Sequence, residues 1–362
     1  MPHLTCYAVK ANDALALLQV VAAEGIGADV VSGGELAKCL KAGIAPATIA
    51  FSGVGKLESE IRTAVEAGIR SLNVESLDEL ADVAAAARAL GRVAPVSVRL
   101  NPDVAGGGHE YLATGGAASK FGLERADASA ALRKAAEDEA LTPVGLSFHV
   151  GSQLLDPEPI FVAAARVAEV WRELAGEGIR LRDFDAGGGL GIAYDGGPEP
   201  ALDAYVGMLA EIARSLEATL VLEPGRHLVA PVGKLVTRVL HVKQAGDRTI
   251  VVCDGGSNDL LRPALYGAEH PITVLGAERE RAPVDVVGPL CESSDFLALE
   301  RTMPLPRRGD LLAVELAGAY GRVMSSTYNA RPLCAEVVLE QGSWRVSRER
   351  GTYDDLIRNE IS

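Results

Sequence analysis

Positive charge is scarce in this chain of 362 residues: 35 Lys and Arg stand against 49 Asp and Glu, a net charge of −14. Nucleic acid and anionic membrane surfaces both repel so acidic a protein, so neither is expected as a partner. Long apolar runs are also missing. No stretch approaches the ~20 uninterrupted apolar residues of a spanning helix, and the first residues lack the basic-then-apolar order of a secretory signal. Cysteine is limited to Cys6, Cys39, Cys253, Cys291 and Cys334. They are odd in number, dispersed, and without pairing or metal-ligand spacing, which reads as reduced thiols of a cytoplasmic protein with no metal centre. There is no low-complexity tract and no Gly/Ser linker.

What is present is rhythm. The chain is too long for one simple core, so a large and a smaller domain are expected. Up to about residue 226, apolar strands alternate with helical stretches. The strand candidates are LTCYAV, GADVVS, TIAFSG, IRSLNVE, APVSVRL, VGLSFHV, LRDFDAG and ATLVLEP. Between them, Leu15, Leu18, Val21 and Ala22 fall on one helical face, as do Leu57, Ile61, Ala64 and Val65. Ser76-Leu77-Asp78-Glu79 has the form of a capping box, and Gly43 and Gly68 fall where helices should stop. Eight such repeats predict a (β/α)8 barrel over residues 1–230. A doubly wound sheet is second choice, since no dinucleotide fingerprint is evident.

After Arg226 the pattern changes to short alternating or apolar segments separated by turns: GKLVTRVLHVKQ, RTIVVCD, PVDVVG, DLLAVELAG, CAEVVLE and SWRVS. These predict an antiparallel β domain, sandwich-like or barrel-like, over 231–362. A helix signal interrupts it only around Asp259–Leu265.

The active site of a (β/α)8 barrel lies at the C-terminal ends of its strands. Here strand one runs into YAVKAN and ends at Lys10. Strand six ends in His149-Val150-Gly151-Ser152, strand seven in Gly187-Gly188-Gly189-Leu190-Gly191, and strand eight in Glu223-Pro224-Gly225-Arg226. Singly, each has a plain reading: a soluble strand end, a structural histidine, a tight turn, a surface turn. Together they fall at one end of one barrel. Glycine-rich backbone can offer several N–H groups to a phosphate. A partly desolvated lysine can attack an aldehyde, an imidazole can stack on a ring, and a carboxylate can hold a pyridine nitrogen protonated. That combination describes a pyridoxal-phosphate (PLP) site.

YAVKAN, HVGSQ, GGGLGI, EPGR, GPLCESSD and GAYG resemble the barrel-type PLP decarboxylases of alanine-racemase-like fold (fold type III), and most of all their diaminopimelate decarboxylase branch. The likeness spans nearly the whole chain and includes FSGVGK, NVES, SKFG, NDLLRPALY and STYNARP. It implies that Lys10 carries PLP covalently and that His149 stacks on its ring. Ser152, Gly188, Gly189, Pro224, Gly225 and Arg226 would then surround the phosphate, with Glu223 at the ring nitrogen. It further implies that Cys291 returns a proton to the substrate carbon, and that Tyr320 serves cofactor and substrate alike. Arg226, Arg262, Tyr266 and Glu292 would hold the far end of an amino-acid substrate. Arg262 suits a distal carboxylate and Glu292 a distal ammonium, which together describe meso-diaminopimelate, decarboxylated to L-lysine in the last step of lysine biosynthesis. Ornithine and arginine decarboxylases are rivals whose substrates lack the distal carboxylate. A decarboxylase of a secondary pathway and a non-catalytic binding protein of the same fold stay open beside them.

The resemblance also implies a homodimer with shared sites, and relatives that begin several dozen residues earlier. Three stretches depart from the family pattern: serine replaces glycine in CESSD, the loop Ala105–Tyr111 is unusually glycine-rich, and Tyr266–His270 differs from a YDAYH-like run.

Overall fold

The computed structural model describes residues 1–104, 119–276 and 278–361. The glycine-rich Ala105–Tyr111 loop lies outside the described residues. Two compact units emerge: Met1–Ile192 with Pro198–His227, and Ala193–Gly197 with Leu228–Ser362.

The first unit is a closed ring of eight parallel strands. They are β1 (His3–Ala8), β2 (Gly27–Val30), β3 (Ile49–Phe51), β4 (Ser71–Val74), β5 (Ala94–Arg99), β6 (Leu141–Ser147), β7 (Asp183–Asp185) and β8 (Thr219–Leu222). β1 pairs with β2 through Cys6 opposite Gly27, and closes the ring on β8 through Leu4 opposite Val221. Strands enclosed on both faces read as continuous apolar runs, and β2, β3 and β4 are buried at every position. Helices complete the repeats: α1 (Leu15–Ala23), α2 (Gly33–Ala42), α3 (Glu58–Ala67), α4 (Leu77–Ala89), α5 (Arg125–Glu137), α6 (Glu158–Gly176) and α7 (Leu202–Ser215), with the short α8 (Arg226–Val229) after β8. On α6, Trp171 meets Phe184 of β7 edge to face, with centroids 6.1 Å apart. Just before β4, Arg70 grips Asp183 with two hydrogen bonds of 2.5 and 3.0 Å, fixing β4 against β7.

Two local expectations need correction. Leu57 does not join the apolar face of α3; it stands at the N-cap, 64% exposed, while Ile61, Ala64 and Val65 face the core. The capping box at Ser76 is half formed. Ser76 Oγ accepts from the Glu79 N–H, but Glu79 turns its carboxylate to the Glu75 N–H and to the buried Lys56 amine, a stronger charged donor.

The second unit holds a six-stranded sheet and a separate hairpin. The sheet strands are β9 (Leu235–Ala245), β10 (Arg248–Cys253), β11 (Ile272–Val274), β12 (Arg281–Val287), β13 (Phe296–Pro304) and β14 (Leu311–Val314), in the order β11-β14-β9-β10-β12-β13. It is mostly antiparallel; β10 and β12 run parallel, which the alternation pattern could not reveal. Val239, Val251, Val284, Val286, Leu297 and Leu312 are among its core residues. The hairpin joins β15 (Glu336–Glu340) to β16 (Ser343–Arg348). The expected helix is α9 (Arg262–Tyr266), and α10 (Tyr353–Ile357) follows the hairpin.

Candidate active site

Acid residues inside apolar strands build the first part of the site. Asp29 lies on β2 with no exposure, and its Oδ2 accepts from the Lys10 amine at 2.6 Å. Lys10 itself sits just past β1 in a single 3-10 turn, Val9–Ala11, with its side chain 39% exposed. The barrel thus presents an amine at its mouth and holds it by a buried carboxylate.

The loops after β1, β6, β7 and β8 are stitched to one another. The Ala8 N–H donates to the Pro224 carbonyl at 3.1 Å, and the Glu223 N–H to the Gly187 carbonyl at 2.7 Å. The Gly188 N–H points to His149 Nδ1 at 3.3 Å, and the Leu154 N–H to the Gly189 carbonyl at 2.9 Å. Lys10, His149, Gly188, Gly189, Glu223 and Pro224 are thereby brought to one mouth; Ser152 and Gly225 lie on the same loops, and the buried Arg226 opens α8 directly after Gly225. The glycines are sterically required. A Cβ on Gly188 would fall 2.3 Å from the Glu223 carbonyl oxygen. Gly189, at φ 109°, would meet the Gly151 carbonyl at 2.5 Å.

Electrostatics sharpen this picture. Burial, with the charges of Arg99 and Lys10, drives His149 down to about 3, so its ring is neutral and suited to lie against a flat ring. Glu223 is held well above the usual carboxylate range by burial and then by Asp185 and Asp29. Asp185, on β7, is raised to about 7, again chiefly by burial. The two carboxyls form a pair that retains a proton. Among the described residues, Glu223 Oε1 is buried with no hydrogen-bond partner. An unsatisfied buried acceptor calls for a donor, and the protonated nitrogen of a pyridine ring is one. The residues therefore fit PLP.

Residues missed from sequence surround this mouth. Glu75 gathers three donors: the Gly53 N–H at 2.9 Å, the Gly122 N–H at 3.0 Å, and Arg99 Nη1 at 3.2 Å. Lys56, its side chain enclosed, donates to the Gly53 and Asn73 carbonyls and to Glu79. Asp29 and Asp185 were missed as well, although GADVV and DFDAG set an acid among apolar residues, where solvation does not explain a charge.

In the second unit, Cys291 and Glu292 are exposed on the turn after β12. The Cys291 N–H donates to Asn329 Oδ1 at 2.7 Å. Asp295, 4% exposed, anchors that turn: one oxygen accepts from the Ser257 N–H and the other from the Leu290 N–H, each at 2.7 Å. Arg262 and Tyr266 occupy the two ends of α9, with Arg262 buried. Tyr320 adopts φ 58°, a conformation rare for a residue with a side chain.

Residues 1–230 match the family described as pyridoxal-dependent decarboxylase, pyridoxal binding domain. The chain belongs to the diaminopimelate decarboxylase branch of that family. Diaminopimelate decarboxylase of Helicobacter pylori is 44% identical over 360 residues, 99% of this chain and 89% of the relative. That of Pseudomonas aeruginosa is 44% identical over 362 residues, 99% and 87% of the two chains. The crystal structure of the H. pylori decarboxylase complexed with L-lysine superposes with a TM-score of 0.96 at 43% identity, covering 99% of this chain and 90% of that one. The diaminopimelate decarboxylase structure from M. jannaschii, also with L-lysine, gives a TM-score of 0.94 at 38% identity, covering 100% and 85%. Members of this family are PLP-dependent enzymes, and the (β/α)8 barrel with a β domain is their architecture.

Proposed function

We propose that this protein removes one carboxyl group of meso-diaminopimelate, with PLP as cofactor, releasing CO2 and L-lysine. The observation that carries the reading is the mouth of the barrel, where a carboxylate-held amine shares a stitched set of loops with a buried acceptor that has no donor among the described residues. Lys10 would anchor the cofactor, and Asp29 accepts from its amine. Neutral His149 would pack against its ring, and Glu223 would accept from the protonated ring nitrogen. N–H groups of Gly189 and Gly225, with Gly188, Ser152, Pro224 and Arg226 around them, would form the phosphate site. When bound, PLP supplies the electron sink into which the electrons of the broken carbon–carbon bond flow. Cys291 returns a proton to the substrate carbon.

Substrate choice rests on Arg262 for the far carboxylate and Glu292 for the far ammonium, with Arg226, Tyr266 and Tyr320 beside them. The names of the similar enzymes and the L-lysine in their structures support this substrate over ornithine or arginine. Residues 1–230 would form the cofactor domain and 231–362 the domain carrying the substrate groups. The working enzyme is a homodimer in which Cys291 of one chain serves Lys10 of the other, and it resides in the cytoplasm. No helix among the described residues is long and apolar enough to cross a membrane. The test is CO2 and L-lysine formation from meso-diaminopimelate by PLP-loaded protein, with ornithine, arginine and lysine as competing substrates. Preference for one of the competitors would overturn the reading.

A further inference from the structure

Arg262 is held by an arrangement more specific than burial requires. Its Nη1 donates to His270 Nε2 at 2.7 Å, and its guanidinium carbon lies 4.5 Å from the centre of the Tyr194 ring. Tyr194 and His270 meet edge to face, with centroids 5.0 Å apart and planes at 70°. On the other side of the imidazole, Nδ1 lies 2.9 Å from the Glu315 carbonyl oxygen. All four residues belong to the second unit.

The partners dictate the state of the histidine. A guanidinium offers only donors and a backbone carbonyl only accepts. His270 must therefore accept at Nε2 and donate from Nδ1, which the neutral Nδ1–H form alone can do. Tied at both ends and with no exposure, the ring presents a fixed acceptor. Tyr194 covers the guanidinium face, so the ring sets the tilt of the fork while His270 sets its rotation. A carboxylate is gripped by two parallel bonds only in the plane of the guanidinium. A change of plane forfeits one of them.

We propose that His270 and Tyr194 are positioning residues that fix the plane of Arg262 and so determine selection for a substrate bearing a far carboxylate. This rests on the reading of Arg262 given above. The ligand chemistry is that of an α-amino acid end group, the shared feature of meso-diaminopimelate and L-lysine.

The experiment compares L-lysine with cadaverine, the same diamine without the carboxylate, by calorimetric titration of the PLP-loaded protein. The ratio of the two affinities isolates the carboxylate contact, because every other contact is common. Arg262→Ala should collapse the ratio. His270→Asn keeps an amide donor for Glu315 but gives Arg262 no acceptor, and should lower the ratio about tenfold. His270→Gln reaches the Nε2 position with its carbonyl and should restore most of it. Tyr194→Leu should lower the ratio a few-fold and Tyr194→Phe leave it intact, since the ring face is retained. Cadaverine affinity should change little throughout. An unchanged ratio in Arg262→Ala overturns the reading of Arg262 and this proposal with it. A collapsed ratio there, with the His270 and Tyr194 variants keeping the wild-type ratio or losing both ligands equally, overturns the proposal alone. If the buried His270 variants do not fold, the partly exposed Tyr194 pair decides by the same criterion.

Discussion

Replacing Asp185 by Asn should stabilise the cofactor-free protein, and more so as pH rises. Burial lifts the Asp185 carboxyl from 3.8 to about 7. The folded chain therefore keeps this proton over a range where the unfolded chain has released it. Stability falls as pH climbs from about 4 towards 7, and the loss is complete above the folded value. The full shift of roughly three units corresponds to ~4 kcal/mol, and about 3 kcal/mol of it falls between about pH 5 and pH 8.5. The asparagine oxygen can still accept the Gly187 N–H, which Asp185 Oδ1 takes at 2.9 Å, and its NH2 can donate to Glu223. Urea unfolding of wild type and Asp185→Asn at both pH values gives the measurement. The stability of the variant relative to wild type should rise by about 3 kcal/mol from the lower pH to the higher. Comparison across pH cancels any fixed packing cost of the amide. A difference that stays flat within about 1 kcal/mol would refute the idea that Asp185 and Glu223 hold a proton between them.

Lys10→Ala should remain folded but lose both turnover and the near-visible absorbance of attached PLP; retained absorbance after removal of free cofactor would move the anchor elsewhere. Asp295→Ala strips a buried and a part-buried N–H group of their acceptor. It should cost roughly 2–4 kcal/mol of stability and lower kcat more than it raises KM, because the turn carrying Cys291 loosens; equal loss in both parameters would speak against that role. Lys10→Ala and Cys291→Ala should each be nearly inactive, yet mixed and allowed to exchange they should recover roughly a quarter of wild-type activity, as expected of a closed two-fold dimer with shared sites. No recovery after verified exchange would place Cys291 at the site of its own chain.

The barrel was legible because its strands, covered on both faces, are apolar without interruption, and because the chemistry gathers where they end. β13 was not. Its sequence FLALERTMP breaks at Glu300-Arg301, and Glu300 stands at φ 51° with its N–H given to Asp285. Such an irregular strand has no clean alternation to read. The parallel pairing of β10 with β12 was equally hidden, since alternation reports which face is buried and not which way a neighbour runs. At the site, Lys10, His149, the glycines and Glu223 could be picked out because they sit on turns. Asp29, Glu75 and Asp185 escaped because each sits in or beside a strand, and its partner lies on, or just past the end of, another strand: Lys10 for Asp29, Arg99 for Glu75, Glu223 for Asp185. His270 shows the same limit. Sequence marks it only as part of a stretch that departs from the family run, whereas its contacts make it the support of Arg262.

Glu75 has a consequence for how the mouth moves. One side chain, 6% exposed, accepts from the loop after β3, from the end of β5 and from the segment at Gly122. If any of these three swings outward, it leaves a buried carboxylate with one donor fewer, and the energy of that loss falls on the other two. The loops are thus discouraged from breathing independently. The amides of Gly53 and Gly122 should exchange with solvent on a common timescale, in one concerted opening, and the rim of the barrel should flex as a collar more than as separate fingers.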